Sequence, residues 1–513
     1  MRVLRTRCAR DPPGPAGEFM REATTIDPGN VPAIAAATTS HSALLDRIWA
    51  RLFVPVDISF LVFFRVVFGA ILAWEVSRFF SHGWIARYYI IPDFHFTYYG
   101  FHWVKPWPGQ GMYIHFSVIG IAAICISLGF FYRIASAIFF FGFTYVFLLD
   151  QTRYLNHFYL VSLVSFILMF LPAQRAFSVD ALIRPTIRSD AVPTWTLWLL
   201  RFQIGVAYFF GGIAKINHDW LVGGEPMRTW LGPLMKLPAI GRFFQAEWVV
   251  YSFVYSGLLL DLCVVPLLLW RRTRPFAYAA AVGFNIINAL IFNIGIFPWF
   301  MLGATLVFFP PDLFRRFARA FLNPGAALRE TNDAEQSRAQ TFIPQLRSWQ
   351  KVVAAVLIAF VVFQLLMPLR HYLYPGNVSW TEEGHNFSWH MKLRTKRGEA
   401  LFTITHPPTG QTWTTDAHEH LEWRQIMKMA TKPYMILQYS HYLAELKRRE
   451  GYEGVEVRAH VTSTLNGRKP QLLVDPTVDL AKVDASLRPA GWIVPLTTPL
   501  EVRSATADDD DDE

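Results

Sequence analysis

The sequence predicts an α-helical polytopic membrane bundle of about nine spans carrying a C-terminal α+β extramembrane domain. Three observations lead there. Of 513 residues, 53% are hydrophobic and only 17% charged, a balance unusual for a soluble chain. The apolar residues cluster in runs of span length. From about residue 376 the runs stop and period-two and helical patterns of ordinary length begin.

The apolar runs fall at about 57–80, 112–131, 134–150, 156–172, 195–215, 247–269, 276–293, 296–310 and 350–369. The third, fourth and eighth are short for a hydrocarbon core of ~30 Å. Segments 83–108 and 221–246 are rich in Trp, Tyr, Phe, Gly and Pro and read as interfacial elements. Arg47, Arg51, Arg133, Arg175, Arg184, Arg188, Arg271, Arg272, Arg274, Arg315, Arg316 and Arg319 all fall in loops on one side of a nine-span bundle. The positive-inside rule makes that side cytoplasmic, with the N-terminus, and puts the C-terminal domain on the outer, periplasmic or lumenal face. The expected division is a tail over 1–45, the bundle over 46–372, the extramembrane domain over 376–500 and an acidic tail over 501–513. The net charge of +9 is spent on topology, so nucleic acid is not an expected partner and the lipid bilayer is. Three cysteines, Cys8, Cys125 and Cys263, imply no disulfide framework.

In the C-terminal part, 400–405 and 454–463 alternate and predict strands, and 417–450 predicts one or two helices. His385, His390, His418, His420 and His441 lack metal-ligand spacing, so no metal is expected. The pair Gly211 and Gly212 lies inside a span and predicts close helix packing, not a phosphate loop.

Polar residues inside apolar spans are few. They are Arg65 and Glu75 on the first, Asn156 and His157 opening the fourth, Arg201 and Gln203 on the fifth with Tyr208 and Lys215 near its end, Asp261 on the sixth, and Asn285 and Asn288 on the seventh. Arg65 or Arg201 paired with Glu75 or Asp261 is the structural expectation. The surplus beyond that predicts a polar cavity. A lysine near a helix end can snorkel to the interface. A desolvated one can lose its proton and serve as a base. His157 is open to the same two readings, interface residue or oxygen-orienting group.

The chain resembles the vitamin K-dependent gamma-glutamyl carboxylase family and its prokaryotic relatives with the HTTM domain. The resemblance rests on Phe64-Arg65-Val66-Val67-Phe68-Gly69, on 147–160 with Asn156-His157, on Ser178-Val179-Asp180-Ala181-Leu182, and on 208–220 with Lys215 and Asp219-Trp220. It continues in Trp380-Thr381, Ser388-Trp389, 475–479 and 492–496. It implies oxygenation of vitamin K hydroquinone, or a related reduced quinone, by O2. That chemistry supplies the base that removes a glutamate γ-proton, and CO2 adds to the carbanion. It further implies Lys215, His157 and Asn156 as catalytic residues, with Lys215 taking a hydroquinone proton. Asn285, Asn288, Tyr208 and Arg201 are implied at the quinone, and Trp380, Trp389 and Ser388 at a glutamate-containing protein or peptide substrate. Lys215 and His157 are expected to line one cavity. Asn285 stands where the family has a histidine, and the family's lumenal disulfide has no counterpart. The alternatives are a quinone epoxidase without protein carboxylation, and a transporter or scaffold reusing the cavity.

Overall fold

A computed structural model describes residues 49–238, 241–292, 294–322 and 347–500. The expected tails over 1–45 and 501–513 lie outside the described residues. The helices are α1 (Ser59–Ser81), α2 (Gly111–Leu128), α3 (Tyr132–Leu149), α4 (Asn156–Phe170), α5 (Thr194–Ile213), α6 (Glu247–Leu269), α7 (Arg274–Phe292), α8 (Phe297–Thr305), α9 (Leu313–Leu322) and α10 (Ser348–Leu366). Each of the nine apolar runs supplies a helix, but the count of about nine spans is not confirmed. Among the described residues seven helices are long and apolar enough to cross a membrane, or eight if the bent pair is one span. With 15 residues, α4 rises only about 22 Å, short of a ~30 Å core. The eighth run breaks after Phe308 and turns through 99° into α9, so it is at most one bent span. Pro310 and Pro311 enforce the break, because neither can continue a helix.

Helices α1, α2, α3 and α4 pack in sequence order, and α5 packs on α4 and α6. Close approach comes from missing side chains. A Cβ on Gly69 would meet the backbone of Ser127 at 2.5 Å, and one on Gly212 would meet Leu262 at 2.6 Å. The expected packing role of the glycine pair is therefore seen in α5 against α6.

The expected pairing of buried charges is corrected. Arg65 donates to the carbonyls of Ala173, at 3.1 Å, and Phe177, at 2.5 Å. Arg201 donates to the carbonyls of Val307 and Phe309 at 2.9 and 3.1 Å. Both guanidiniums cap carbonyl oxygens left without an intrahelical donor. Glu75 instead pairs with Arg78 and Asp261 with Lys215.

The two ends of the bundle differ. At one, strand β1 (Pro55–Asp57) pairs with β2 (Ala191–Pro193), and Arg315 ties Asp57 to Asp190 at 2.6 and 2.9 Å. At the other sits the C-terminal unit. Its antiparallel sheet is ordered β4-β3-β5-β6, with β3 (Lys396–His406), β4 (Gln411–Thr415), β5 (Glu456–Leu465) and β6 (Gln471–Leu472). Alternate residues of β5, including Val457, Ala459 and Val461, are buried under α12 (Pro433–Arg449), with α11 (Trp423–Met429) beside it. The strands and helices expected over 400–405, 454–463 and 417–450 are these. Several polar contacts fasten the unit to the bundle. Arg153 reaches Glu422 at 2.9 Å, Gln425 reaches Asp150 at 3.0 Å, and Arg468 holds both oxygens of Asp219 at 2.6 Å.

Candidate active site between bundle and C-terminal unit

The junction encloses a cavity of ≈ 790 Å³. Its bundle side is aromatic, with Phe79, Trp84, Tyr88, Phe158 and Phe297, and carries the polar groups of Glu75, Arg78, Asn156 and His157. Asn156 and His157 reach it because α4 begins there. Leu155 is extended and Asn156 is the first helical residue. The Asn156 amide is fixed at both ends. It donates to the His390 carbonyl at 3.0 Å and accepts from the Tyr154 hydroxyl at 3.0 Å. The His157 ring packs near Phe158 and Phe297, with centroids at 4.9 and 5.7 Å.

Lys215 is not among the residues lining this cavity, so the cavity it was expected to share with His157 is not seen. Nor does Lys215 snorkel, since it is 5% exposed. It sits just past the end of α5, donates to Asp261 Oδ2 at 2.5 Å and to the Gly211 carbonyl at 3.1 Å, and lies 5.5 Å from the Trp220 ring centre. Asp261 is 4% exposed. An isolated ion would be very costly there, and the pair removes the net charge. What separates this dyad from the cavity is thin. Met391 lines the cavity, and a Cβ on Gly211 would meet Met391 Cε at 2.7 Å and Asp261 Oδ2 at 3.4 Å. Gly211 thus lets Met391 and the dyad approach the same point on α5.

The remaining expected residues divide. Tyr208 is buried, its hydroxyl 3.4 Å from Thr305 Oγ1, and buried Asn285 donates to the Ala281 carbonyl at 2.8 Å. Asp261 and Asn285 are both close enough to influence the Tyr208 phenol, so Tyr208 and Asn285 belong with the dyad. Asn288 is half-buried on α7 and does not line the cavity. Arg201 stands apart, about 21 Å along the chain axis from Lys215 at helical rise. Trp380, Trp389 and Ser388 are all buried and none lines the cavity. Trp380 donates to the Val494 carbonyl at 2.7 Å, Ser388 to the Gly384 carbonyl at 2.6 Å, and Trp389 stacks near Tyr159 with centroids 5.0 Å apart. They shape the wall from behind.

Sequence reasoning missed the wall itself. The segment 385–396, helix α11 and the turn that follows it present Lys392, Arg394, Lys396, Arg424, Lys428 and Lys432 to the cavity. Glu382 answers two of these, Arg394 at 2.6 Å and Lys396 at 3.5 Å. The side chains of Lys392, Arg424 and Lys428 carry no ion pair among the described residues, though Lys392 lies 5.3 Å from the Trp230 ring centre. The backbone gave one usable signal. Glu382, Phe387, Trp389 and Lys392 all have positive φ, between 52° and 65°, a concentration of strain of the kind found at functional sites. Among the described residues no group of three His, Cys, Asp or Glu could hold a metal ion.

Burial governs the titration of this wall. It pushes His390 down to about 3 and His385 well below its ordinary range, leaving both imidazoles neutral. Burial also brings Lys396 down to about 8 and Lys432 to about 7, against the opposing pull of Glu382. A lysine lowered by folding adds stability above its unfolded pKa and loses it as pH falls through the folded value. For Lys432 that window runs from about 10.4, the free-lysine value, down to about 7. Lys432→Met is therefore expected to raise the thermal midpoint more at pH 6 than at pH 10, by up to about 1.4 kcal/mol per pH unit across the window. Equal shifts at both values would remove this assignment.

Comparison with known proteins follows the same division. The HTTM domain family model matches residues 53–313. The model of the vitamin K-dependent gamma-carboxylase, lumenal domain, matches residues 349–499. No solved structure matches the chain. One model covers half of the chain and ends near the bundle's bent segment, the other takes in the last apolar helix and the sheet, and the cavity lies where the two regions meet. With both regions present in order, the chain belongs to the vitamin K-dependent gamma-glutamyl carboxylase family, as a multi-pass membrane protein of the HTTM type.

Proposed function

We propose that this protein carboxylates glutamate γ-carbons in a protein or peptide, coupled to oxidation of reduced vitamin K to its epoxide. The observation that carries the reading is the two-sided cavity: an aromatic wall with a fixed amide and an imidazole faces a wall with three cations free of ion pairs. The aromatic side, with Trp84, Tyr88 and Phe297 among its lining, fits a quinone ring. Reduced vitamin K, when bound, supplies with O2 the base that no side chain can equal.

The chain's own residues then have these parts. Lys215 and Asp261 act as one unit that takes up a proton. At rest they hold one proton between them and no net charge. A second proton gives ammonium beside carboxylic acid, matched by the anion left on the donor. Asn156 is locked by Tyr154 and the His390 carbonyl, so its amide needs no reorganisation to orient an oxygen, and His157 is beside it. Removal of a γ-proton from a glutamate carboxylate leaves a second negative charge on that side chain. Lys392, Arg424 and Lys428 are placed to hold the first charge and stabilise the second.

On this reading the arginine end of the bundle is cytoplasmic, with the N-terminus, and the C-terminal unit faces the periplasm or lumen. Lys428→Ala is expected to raise the half-saturating concentration of a glutamate peptide by roughly tenfold, the loss of one charge-assisted contact. Purified protein given reduced vitamin K, O2, labelled CO2 and a glutamate peptide should yield epoxide and fixed carbon together. Epoxide without fixed carbon would favour a quinone oxygenase. Neither product would leave the transporter or scaffold reading.

A further inference from the structure

We propose that Lys432 is a carbon dioxide site, its amine adding CO2 to form a carbamate on the wall of the cavity. Among the lysines lining the cavity it is the buried one whose amine carries no hydrogen bond or ion pair among the described residues; Lys392 and Lys428, which also carry none, are exposed. Lys396 donates to the carbonyls of Trp380 and Thr431 at 2.7 Å each, Lys215 is held by Asp261, and Lys447 and Lys482 pair with carboxylates at the surface. The Lys432 side chain lines the cavity and is 9% exposed, with no hydrogen bond or ion pair among the described residues. It precedes Pro433, which opens α12, so its backbone is fixed where the helix begins.

Its charged neighbours are Lys428, Arg394 and Lys396 against one carboxylate, Glu382. His385 and His390, which also line the cavity, are neutral. A buried amine among three cations gives up its proton readily, and the direction of its titration, already described, agrees. An uncharged amine is what CO2 requires. The nitrogen lone pair forms the N–C bond, one C=O electron pair moves onto oxygen, and the nitrogen proton leaves to water or buffer. The product is an N-carboxylate anion and one released proton, with no redox change. The anion lies against the three cations whose charge Glu382 alone does not balance. Protonation of the nitrogen reverses the step and returns CO2 into the cavity.

That CO2 is a substrate rests on the function proposed above, but the modification does not need the quinone or the peptide. The full-length protein would be equilibrated with ¹³C-bicarbonate near pH ~8, where a free lysine is under about 1% amine. It would then be alkylated with triethyloxonium, digested and sequenced by mass spectrometry. The expected result is an ethoxycarbonyl group on Lys432, carrying ¹³C, absent from a CO2-depleted sample and absent in Lys432→Arg. Occupancy should exceed that of exposed Lys482 by on the order of tenfold or more, following the free-amine fractions. The CO2-depleted wild type serves as the control should Lys432→Arg fail to fold. No adduct at Lys432 under saturating CO2, or equal labelling of the exposed lysines, overturns the proposal. Fixed carbon without a Lys432 adduct would sink this site and leave the carboxylase reading standing. An adduct without peptide carboxylation would do the reverse.

Discussion

Lys215→Ala is expected to abolish quinone epoxide formation, a fall of at least 10²–10⁴-fold if the lysine is the proton acceptor. The geometry sharpens what else must be measured. Asp261 lies 2.5 Å from the Lys215 amine, and both are buried. Removing the lysine alone strands a carboxylate in the bundle, which costs roughly 3–5 kcal/mol unless it protonates. The double variant Lys215→Met with Asp261→Asn leaves neither charge alone and should restore the thermal midpoint without restoring activity. Lys215→Arg should stay inactive, because a guanidinium does not give up its proton. A small amine added to Lys215→Ala should recover part of the rate. Epoxide formation by Lys215→Ala at the wild-type rate would mean that the dyad is only an ion pair holding α5 to α6.

The second large effect concerns the joint between the two regions. Asp219→Ala should lower stability by roughly 3–5 kcal/mol, since it leaves the Arg468 guanidinium buried without a counter-charge. Both Asp219 oxygens accept from Arg468 at 2.6 Å, and Asn466 adds a third bond at 2.8 Å. Burial raises the Asp219 carboxyl, but the bonds from Arg468 and Asn466 outweigh it and hold the group below the ordinary carboxylate range. The stabilisation is therefore complete above that range and is lost as pH falls through the lowered value. Asp219 and Trp220 follow Lys215 by four and five residues, so loosening this joint should also displace the dyad and reduce the turnover rate. Asp219→Asn combined with Arg468→Met should regain much of the midpoint. If Asp219→Ala melts like the wild type and resists proteolysis in the 214–226 segment equally well, the joint does not depend on this contact.

Much of the architecture was present in the order of residues. Apolar runs gave the helices, the arginines gave a single end of the bundle, and period-two alternation gave β3 and β5, because each signal is local and repeats within a few residues. Lys215 with Asp219-Trp220 and Asn156 with His157 were legible for the same reason: polar groups in an apolar setting stand out one by one. The count of about nine spans is not confirmed, and the reason is that locality fails there. The fourth run began at Asn156 as α4 does, but a run of apolar residues says nothing of a 99° bend after Phe308.

What the tertiary structure alone decided is who meets whom. Composition required that buried charges find partners, but not that Asp261 would take Lys215 from 46 residues away, or that Arg65 and Arg201 would settle on carbonyls. Trp380 and Trp389, which the resemblance implies at the substrate, are buried and do not line the cavity. The cations of 392–432, spread over forty residues with no common spacing, became one wall of a cavity. A side chain's type fixes what it needs from its surroundings. Only the packing of one helix face against another, and of the sheet unit against the bundle, determines which group supplies it.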